Sequence, residues 1–527
     1  MENQATHIVL GLLVCAIGLG LLARRVALPY PVVLVLGGLA LGFVPDLPTI
    51  KLDPDFALTF ILPPILYQAA LFTSWREFRA NLRPIGLLAI GLVIATTLTV
   101  AGVAHAIVPG MPWAAAFVLG AIVSPPDAVA ATAILNRLRI PRRIVAVLEG
   151  ESLVNDASGL VIYKFAIAAV LTGTFSVTQA SGSFLLVGVG GIAVGLVVGW
   201  IFIHLHQYVR DAMFEIAISL VLPFVAYLTA EWVHVSGVLA VVAAGLLRGW
   251  HAPEVFSAET RIQAQAVWNV IIFLLNSMVF ILIGLELSDV LDRLTPYGAG
   301  DLVYYAVAVS VTAVLVRFAW VFPATYLPRW LSRSVRESDP APPWQHIVIV
   351  SWVGMRGIVS LAAALALPYL TRDGAAFPAR DLIVFLSFAV IFATLVLQGT
   401  TLGPLIRWLG VGADSSEEEE ERQARMKTAY AAVAELDRLA ASGTYEGDMV
   451  GPVRAEYHSR INDCDVGKAV RAGTDAGGAT AARRAIRLQV VAAERRRLIK
   501  LRRDRLIGDE VLHRIQRELD LEELRLS

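Results

Sequence analysis

Charge and cysteine are what this 527-residue chain has least of. Only 17% of its residues are Asp, Glu, Lys or Arg, and they sum to a formal net charge of zero. A balance of that kind offers no basic surface of the sort a nucleic-acid partner requires. The two cysteines, Cys15 in an apolar run and Cys464 in a polar C-terminal region, lie too far apart in environment to suggest a disulfide framework or a metal site. The N-terminus has neither a basic leading segment nor a small-residue cleavage site, so the apolar run Ile8 to Ala23 reads as a mature span rather than a signal peptide.

What the chain has in excess is apolar length. Hydrophobic residues make up 57% and mean hydropathy is +0.66, against about 45–50% apolar usage in soluble domains. The fold class expected is an all-α polytopic membrane protein. Runs of about 17 to 25 apolar residues are long enough to cross roughly 30 Å of hydrocarbon as helix. Thirteen such runs lie near residues 7–23, 30–45, 55–73, 84–108, 112–135, 142–171, 183–207, 212–230, 235–250, 264–288, 302–327, 344–370 and 381–406. Loops after odd-numbered runs carry fifteen arginines, whereas those after even-numbered runs carry Lys51, Arg293, Arg372 and Arg380. Cytoplasmic loops are the basic ones, so the N-terminus is placed outside and the C-terminus in the cytoplasm.

Residues 411–527 differ. From about Ala413 the composition turns to a Glu417–Glu421 run and then to Ala, Leu, Arg and Glu at helical spacing. The reading is a cytoplasmic helical tail whose acidic run is a solvated helix start, favoured by the helix dipole. Its charged amphipathic helices read as solvated faces, with regulation or self-association as the alternative.

Three segments place charge where lipid-facing sequence would exclude it. In the sixth run, Glu149-Gly-Glu-Ser-Leu-Val-Asn-Asp156 puts Glu151 with Asn155, and Ser152 with Asp156, four apart on one helix face. An ionisable side chain at bilayer depth costs roughly 2.5–3.5 kcal/mol on insertion scales, so its default reading is an ion or proton pathway. Carboxylate, amide and hydroxyl oxygens are hard ligands suited to a hard cation, and a carboxylate can carry a proton instead. If the same oxygens hold either, competition couples the two fluxes. The alternative for Glu149 and Glu151 is an internal ion-pair cluster holding helices together.

In the fifth run, Ser124-Pro-Pro-Asp127 removes two backbone donors and predicts a broken helix. Irregular backbone at membrane depth is tolerated where it lines a cavity. Asp127 then compensates a half-helix N-terminus or touches an ion directly. The twelfth run holds a second break, Trp352-Val-Gly-Met-Arg-Gly-Ile-Val-Ser360, an odd seven runs later, as an inverted repeat requires. Arg356 is suited to C-terminal half-helix ends. Arg317, in the eleventh run, needs a carboxylate partner; Glu151 is the candidate, with Arg356 as the competing partner for Glu151. Lys164 reads as a snorkelling side chain near the end of its span.

These motifs, with Leu62-Pro-Pro-Ile-Leu-Tyr67, resemble the sodium/proton antiporters of the monovalent cation:proton antiporter superfamily, in the electroneutral branch that includes the sodium/hydrogen exchangers. The resemblance covers about residues 7 to 408. It implies an elevator-type transporter within a transmembrane domain of residues 1–410, with a dimerisation part of about 1–80 and 212–290 and a moving core of about 84–171 and 302–408. Asp156 matches the aspartate that binds ion and proton, a transient monovalent cation site, and Asn155 matches the asparagine standing in for a second aspartate. Ser152 matches a hydroxyl near the ion, Glu151 and Arg317 a structural pair, and Asp127 and Arg356 the charges at the crossed broken helices. Gln68 departs from relatives that carry an acidic residue there. The resemblance further implies a homodimer in a bacterial inner membrane, exchanging Na⁺, Li⁺ or K⁺ for a proton, with no cofactor and no enzyme activity.

Two rivals stand beside this reading. A passive cation channel would not need paired broken helices with compensating charges. Gly298-Ala-Gly-Asp301 spells a Gly-x-Gly-Asp pattern found in intramembrane aspartyl proteases, but the chain has no Tyr-Asp dipeptide to supply the partner aspartate.

Overall fold

A computed structural model describes residues 2–26, 29–44, 56–127, 131–132, 135, 138, 140–173, 177–206, 208–209, 211–294, 297–371, 374–412, 415–442, 447–466 and 477–526. Of the loop charges used for orientation, Lys51, Arg137, Arg139, Arg210 and Arg372 lie outside these residues, and the side chains of Glu417–Glu419 and Cys464 are likewise not described.

The apolar runs form helices. In chain order these are α1 (Glu2–Val26), α2 (Tyr30–Gly42), α3 (Leu62–Phe72, entered by a π turn at Ala57–Ile61), the short α4 (Trp75–Ala80), α5 (Leu82–Ile107) and α6 (Trp113–Val123). There follow α7 (Arg142–Thr172), α8 (Val177–His206), α9 (Ala212–Trp232), α10 (Gly237–Val255), α11 (Ala258–Arg293) and α12 (Ala299–Leu331). The short α13 (Arg333–Ser338) leads to α14 (Trp344–Trp352), α15 (Ile358–Leu365) and α16 (Arg380–Trp408). Seven helices among the described residues are long and apolar enough to cross a membrane, and α2, α3 and α6 are shorter apolar helices. The protein is a multi-pass helical membrane protein.

Both predicted breaks are present. α6 stops at Val123, and Ser124–Asp127 have no helical hydrogen bonding, because Pro125 and Pro126 supply no amide hydrogen. α14 and α15 are separated by the extended segment 353–357.

Helices group by contact. α2 packs on α11, α8 and α9 on α10, and α10 on α3; separately, α5 packs on α6 and α12, α7 on α6, and α16 on α12 and α15. The α8–α10 seam shows how sequence sets spacing. Gly191, Gly195 and Gly199 face Ser236, Ala240 and Ala244, and a Cβ on the first two would run into the facing backbone carbonyls. Removing side chains every four residues lets the backbones touch, which substitutes dispersion contact for the hydrophobic drive absent in lipid. On the polar side, Asp339 receives Arg83 of α5, Arg143 of α7 and Arg329 of α12, the last at 2.9 Å. Partial burial pushes the Asp339 carboxyl up, but the three guanidiniums outweigh this and hold it below the usual carboxylate range.

The tail forms α17 (Ser415–Ala441), α18 (Gly447–Val466), α19 (Gly477–Arg503) and α20 (Asp509–Leu526). These helices keep charged faces outward, as the charge pattern suggests, but they do not lie apart from one another. Their apolar stripes close on one another, with Leu436, Val453, Tyr457 and Val490 in one core and Leu498, Leu501, Val511 and Ile515 in another. Charge density on the outer faces conceals this from a reading of charge alone.

Candidate ion-binding site

α7 runs 31 residues without interruption, and Gly173, in the left-handed region at φ 70°, ends it. The helix presents two charged faces at the same depth. Glu151 and Asn155 turn toward one side, while Glu149, Ser152 and Asp156, spaced three and four apart, turn toward a cavity of about 350 Å³.

On the first face every charge is matched. Arg317 of α12 meets Glu151 in a fork, Nη1 to Oε1 at 2.5 Å and Nη2 to Oε2 at 2.7 Å, and its Nε donates to the Val350 carbonyl at 2.9 Å. Both residues are about 1% exposed. Bidentate geometry is the strong form of this interaction. Of the two arginines left open by sequence, Arg317 is the one bonded to Glu151. Asn155 is fully buried and donates from Nδ2 to the Pro126 carbonyl at 2.9 Å, tying α7 to the broken segment after α6.

Arg356 caps the broken helices. Its Nε donates to the carbonyl of Val123, the last residue of α6, at 2.9 Å, and Nη1 reaches back to Gly354. A guanidinium there meets the negative end of a half-helix. Asp127 does the reverse. Its backbone amide donates to Met355 at 2.6 Å, and its carboxylate lies on Gly357, the residue that caps the N-terminus of α15. A Cβ at Gly357 would overlap that carboxylate, so only glycine admits the approach.

The second face is open. Asp127, Glu149, Ser152 and Asp156 line the cavity together with Gln68, Asn276 and Ser360. Asp156 is 6% exposed and makes no hydrogen bond or ion pair with any described residue. Oδ1 of Asn276 and Oγ of Ser360, each 2% exposed or less, are unpartnered as well. Carboxylate, hydroxyl and amide oxygens thus converge on one space, the donor set that a hard monovalent cation takes. Glu151, Asn155, Arg317 and Arg356 do not line it.

Asn276, Ser360 and Tyr30, which also lines the cavity and accepts from Asn276 Nδ2 at 3.4 Å, were not found from sequence. Asn276-Ser277 in the middle of an apolar run was the available signal, since intramembrane polar pairs are seldom idle. Gln68, marked only as a departure, stands at the cavity wall. Lys164 is largely exposed and sits 3.5 Å from Glu231. Asp301 is an exposed carboxylate in the first turn of α12, apart from the cavity, which removes the structural context a protease reading requires.

Comparison with known proteins agrees with this architecture. The profile of the family described as "Sodium/hydrogen exchanger, transmembrane" matches residues 9–408. An uncharacterized Na⁺/H⁺ exchanger of Mycobacterium bovis is 36% identical over 98% of this chain and 96% of its own length. A sodium, potassium, lithium and rubidium/H⁺ antiporter of Bacillus pumilus is 36% identical over 72% of this chain and 58% of its own length. The sodium proton antiporter MjNhaP1 of Methanocaldococcus jannaschii superposes with TM-score 0.60 over 76% of this chain and 100% of its own, at 18% identity, which speaks to fold. The chain belongs to the sodium/hydrogen exchanger family.

Proposed function

We propose that this protein exchanges one monovalent cation, Na⁺ with Li⁺ or K⁺ as alternatives, for one proton, by competition at Asp156. The observation that carries the reading is a buried carboxylate with no hydrogen-bond or ion-pair partner among the described residues, facing a cavity lined by oxygen donors. A proton or a cation can each neutralise it, and the two cannot do so together. Ser152, Asn276 and Ser360 supply further oxygens, and Asp127 contributes negative potential while balancing the N-terminus of α15. Asn155 is uncharged and Glu151 is neutralised by Arg317, which supports an electroneutral one-for-one exchange.

Alternating access is read as an elevator movement. The helices of about 84–171 and 302–408 form the moving core, and about 1–80 and 212–290 form the dimerisation part of a homodimer. The closer packing within α5–α7 with α12–α16, and within α2–α3 with α9–α11, than between the two groups supports that division. Thirteen crossings with the tail in the cytoplasm of a bacterial inner membrane complete the reading. The test is cation-driven dequenching of a pH dye in proteoliposomes with Na⁺, Li⁺ and K⁺ in turn, with and without an imposed potential. Asp156→Asn should reduce exchange to the protein-free background. Exchange surviving in that variant, or a rate that follows the potential as a charge-moving step would, overturns the assignment.

A further inference from the structure

We propose that the tail body α17–α20 is an ionic-strength-sensitive latch that ties the cytoplasmic end of α7 to α3, α4, α10 and α11 and is released as cytoplasmic salt rises. The proposal rests on the reading that α7 moves relative to those helices during transport.

The latch point on α7 is its first residue. Arg142 Nε lies 2.7 Å from Glu510 of α20, and its Nη1 lies 3.1 Å from Glu420 of α17. A cation in the first turn of a helix opposes the helix dipole, so the two tail carboxylates offset a local penalty as well as making contact. The same tail grips the other group of helices. Ser74, at the α3–α4 turn, donates to Asp509 at 2.9 Å, and Arg76 of α4 reaches the Ile507 carbonyl. Arg502 donates to the Trp250 carbonyl of α10 at 2.9 Å with its guanidinium 4.2 Å above the Trp250 ring, and Arg503 pairs with Glu254 at 2.6 Å. Arg261 of α11 forks onto Asp520 of α20. Shifting α7 along the membrane normal while α10 and α11 stay fixed must break one set of these contacts.

The seam is built to part. Among the described residues, the apolar cores of the tail contain tail residues alone, and those of the membrane part contain none from the tail. Docking is therefore polar. Between α20 and the ends of α9–α11 lies a further cavity of about 330 Å³, lined by Glu215, Thr260, Arg261, Gln516 and Arg517. Gln516 is 2% exposed, and neither end of its amide is hydrogen-bonded to a described residue. A seam held by charged and polar contacts, with no apolar core continuous across it, separates far more readily than one with such a core. Arg261 and Asp520 are buried at 13% and 3% side-chain exposure, but the pairs on Arg142 and Arg503 are partly exposed, Glu510 at 59% and Arg503 at 63% of the side chain. Such exposed pairs weaken as the screening length falls from about 10 Å at 0.1 M salt to about 3 Å at 1 M.

The test uses the full chain in proteoliposomes, with choline chloride as the internal screening salt and sucrose holding osmolarity constant. Raising choline chloride from about 0.05 to about 0.5 M should speed wild-type exchange roughly three- to tenfold, the scale of one or two exposed ion pairs. Glu420→Gln with Glu510→Gln should show the faster rate already at low salt. Glu456→Gln, which removes a pair with Arg487 inside the tail, should follow wild type. Hydrogen exchange supplies a readout independent of transport: amides of residues 509–526 and of the first turn of α7 should lose protection as salt rises. Rates of the double variant that match wild type at every salt concentration overturn the latch, as does protection that ignores salt. Wild-type protein that fails to exchange ions at all instead overturns the antiport reading, and the protection measurement still decides whether the docking is salt-sensitive.

Discussion

Glu151 and Asp156 stand five residues apart on one helix, both buried, yet the molecule treats them as opposites. Glu151 has both carboxylate oxygens occupied by Arg317; Asp156 has no described partner and faces open space. The difference teaches that burial does not mark function within a membrane. In the proposed exchange, what distinguishes the two carboxylates is whether the protein or an incoming ion completes the charge balance.

That contrast is breakable from either side. The largest effect expected is on Asp156→Asn, which should cut exchange by at least about a hundredfold while leaving the melting temperature in detergent close to wild type, since no hydrogen bond or ion pair to a described residue is removed. Glu151→Gln should do the reverse. Stranding Arg317 should lower stability by about 3–5 kcal/mol, read as a fall in melting temperature, while material that folds keeps measurable exchange. If both variants lose stability together, the two faces are not separate. Gly357→Ala should be intermediate, displacing the Asp127 carboxylate at a cost of about 1–3 kcal/mol, with lowered cation affinity in the same dye assay. The smallest effect expected belongs to Gln68→Glu. A new carboxylate on the cavity wall should lower the half-saturating cation concentration about two- to tenfold, and an unchanged value would remove α3 from the ion's surroundings.

Much of this was legible before any coordinates. Pro125-Pro126 and Gly354-Met-Arg-Gly357 announce their breaks through local chemistry, and a four-residue spacing places side chains on a helix face whatever surrounds it. The choice between faces was not legible. Sequence pairs Ser152 with Asp156 and Glu151 with Asn155 equally well, and only the position of α12 decides which stripe meets a guanidinium. Asn276 and Ser360 escaped for the same reason, as their relevance depends on where α11 and α15 pack. Which tail helices pair was not legible either, because amphipathic spacing gives a stripe without naming what covers it.

The two helix interruptions carry one more consequence. Asp127 donates to Met355, and Arg356 donates to Val123, so each broken segment is hydrogen-bonded to the other in both directions. They are stitched like two fingers hooked together, and Asn155 sews α7 into the same knot. Neither break can then swing as a private hinge, despite having the irregular backbone usually associated with gates. In the proposed elevator movement this centre travels as one rigid frame, and the sliding surfaces lie at its perimeter.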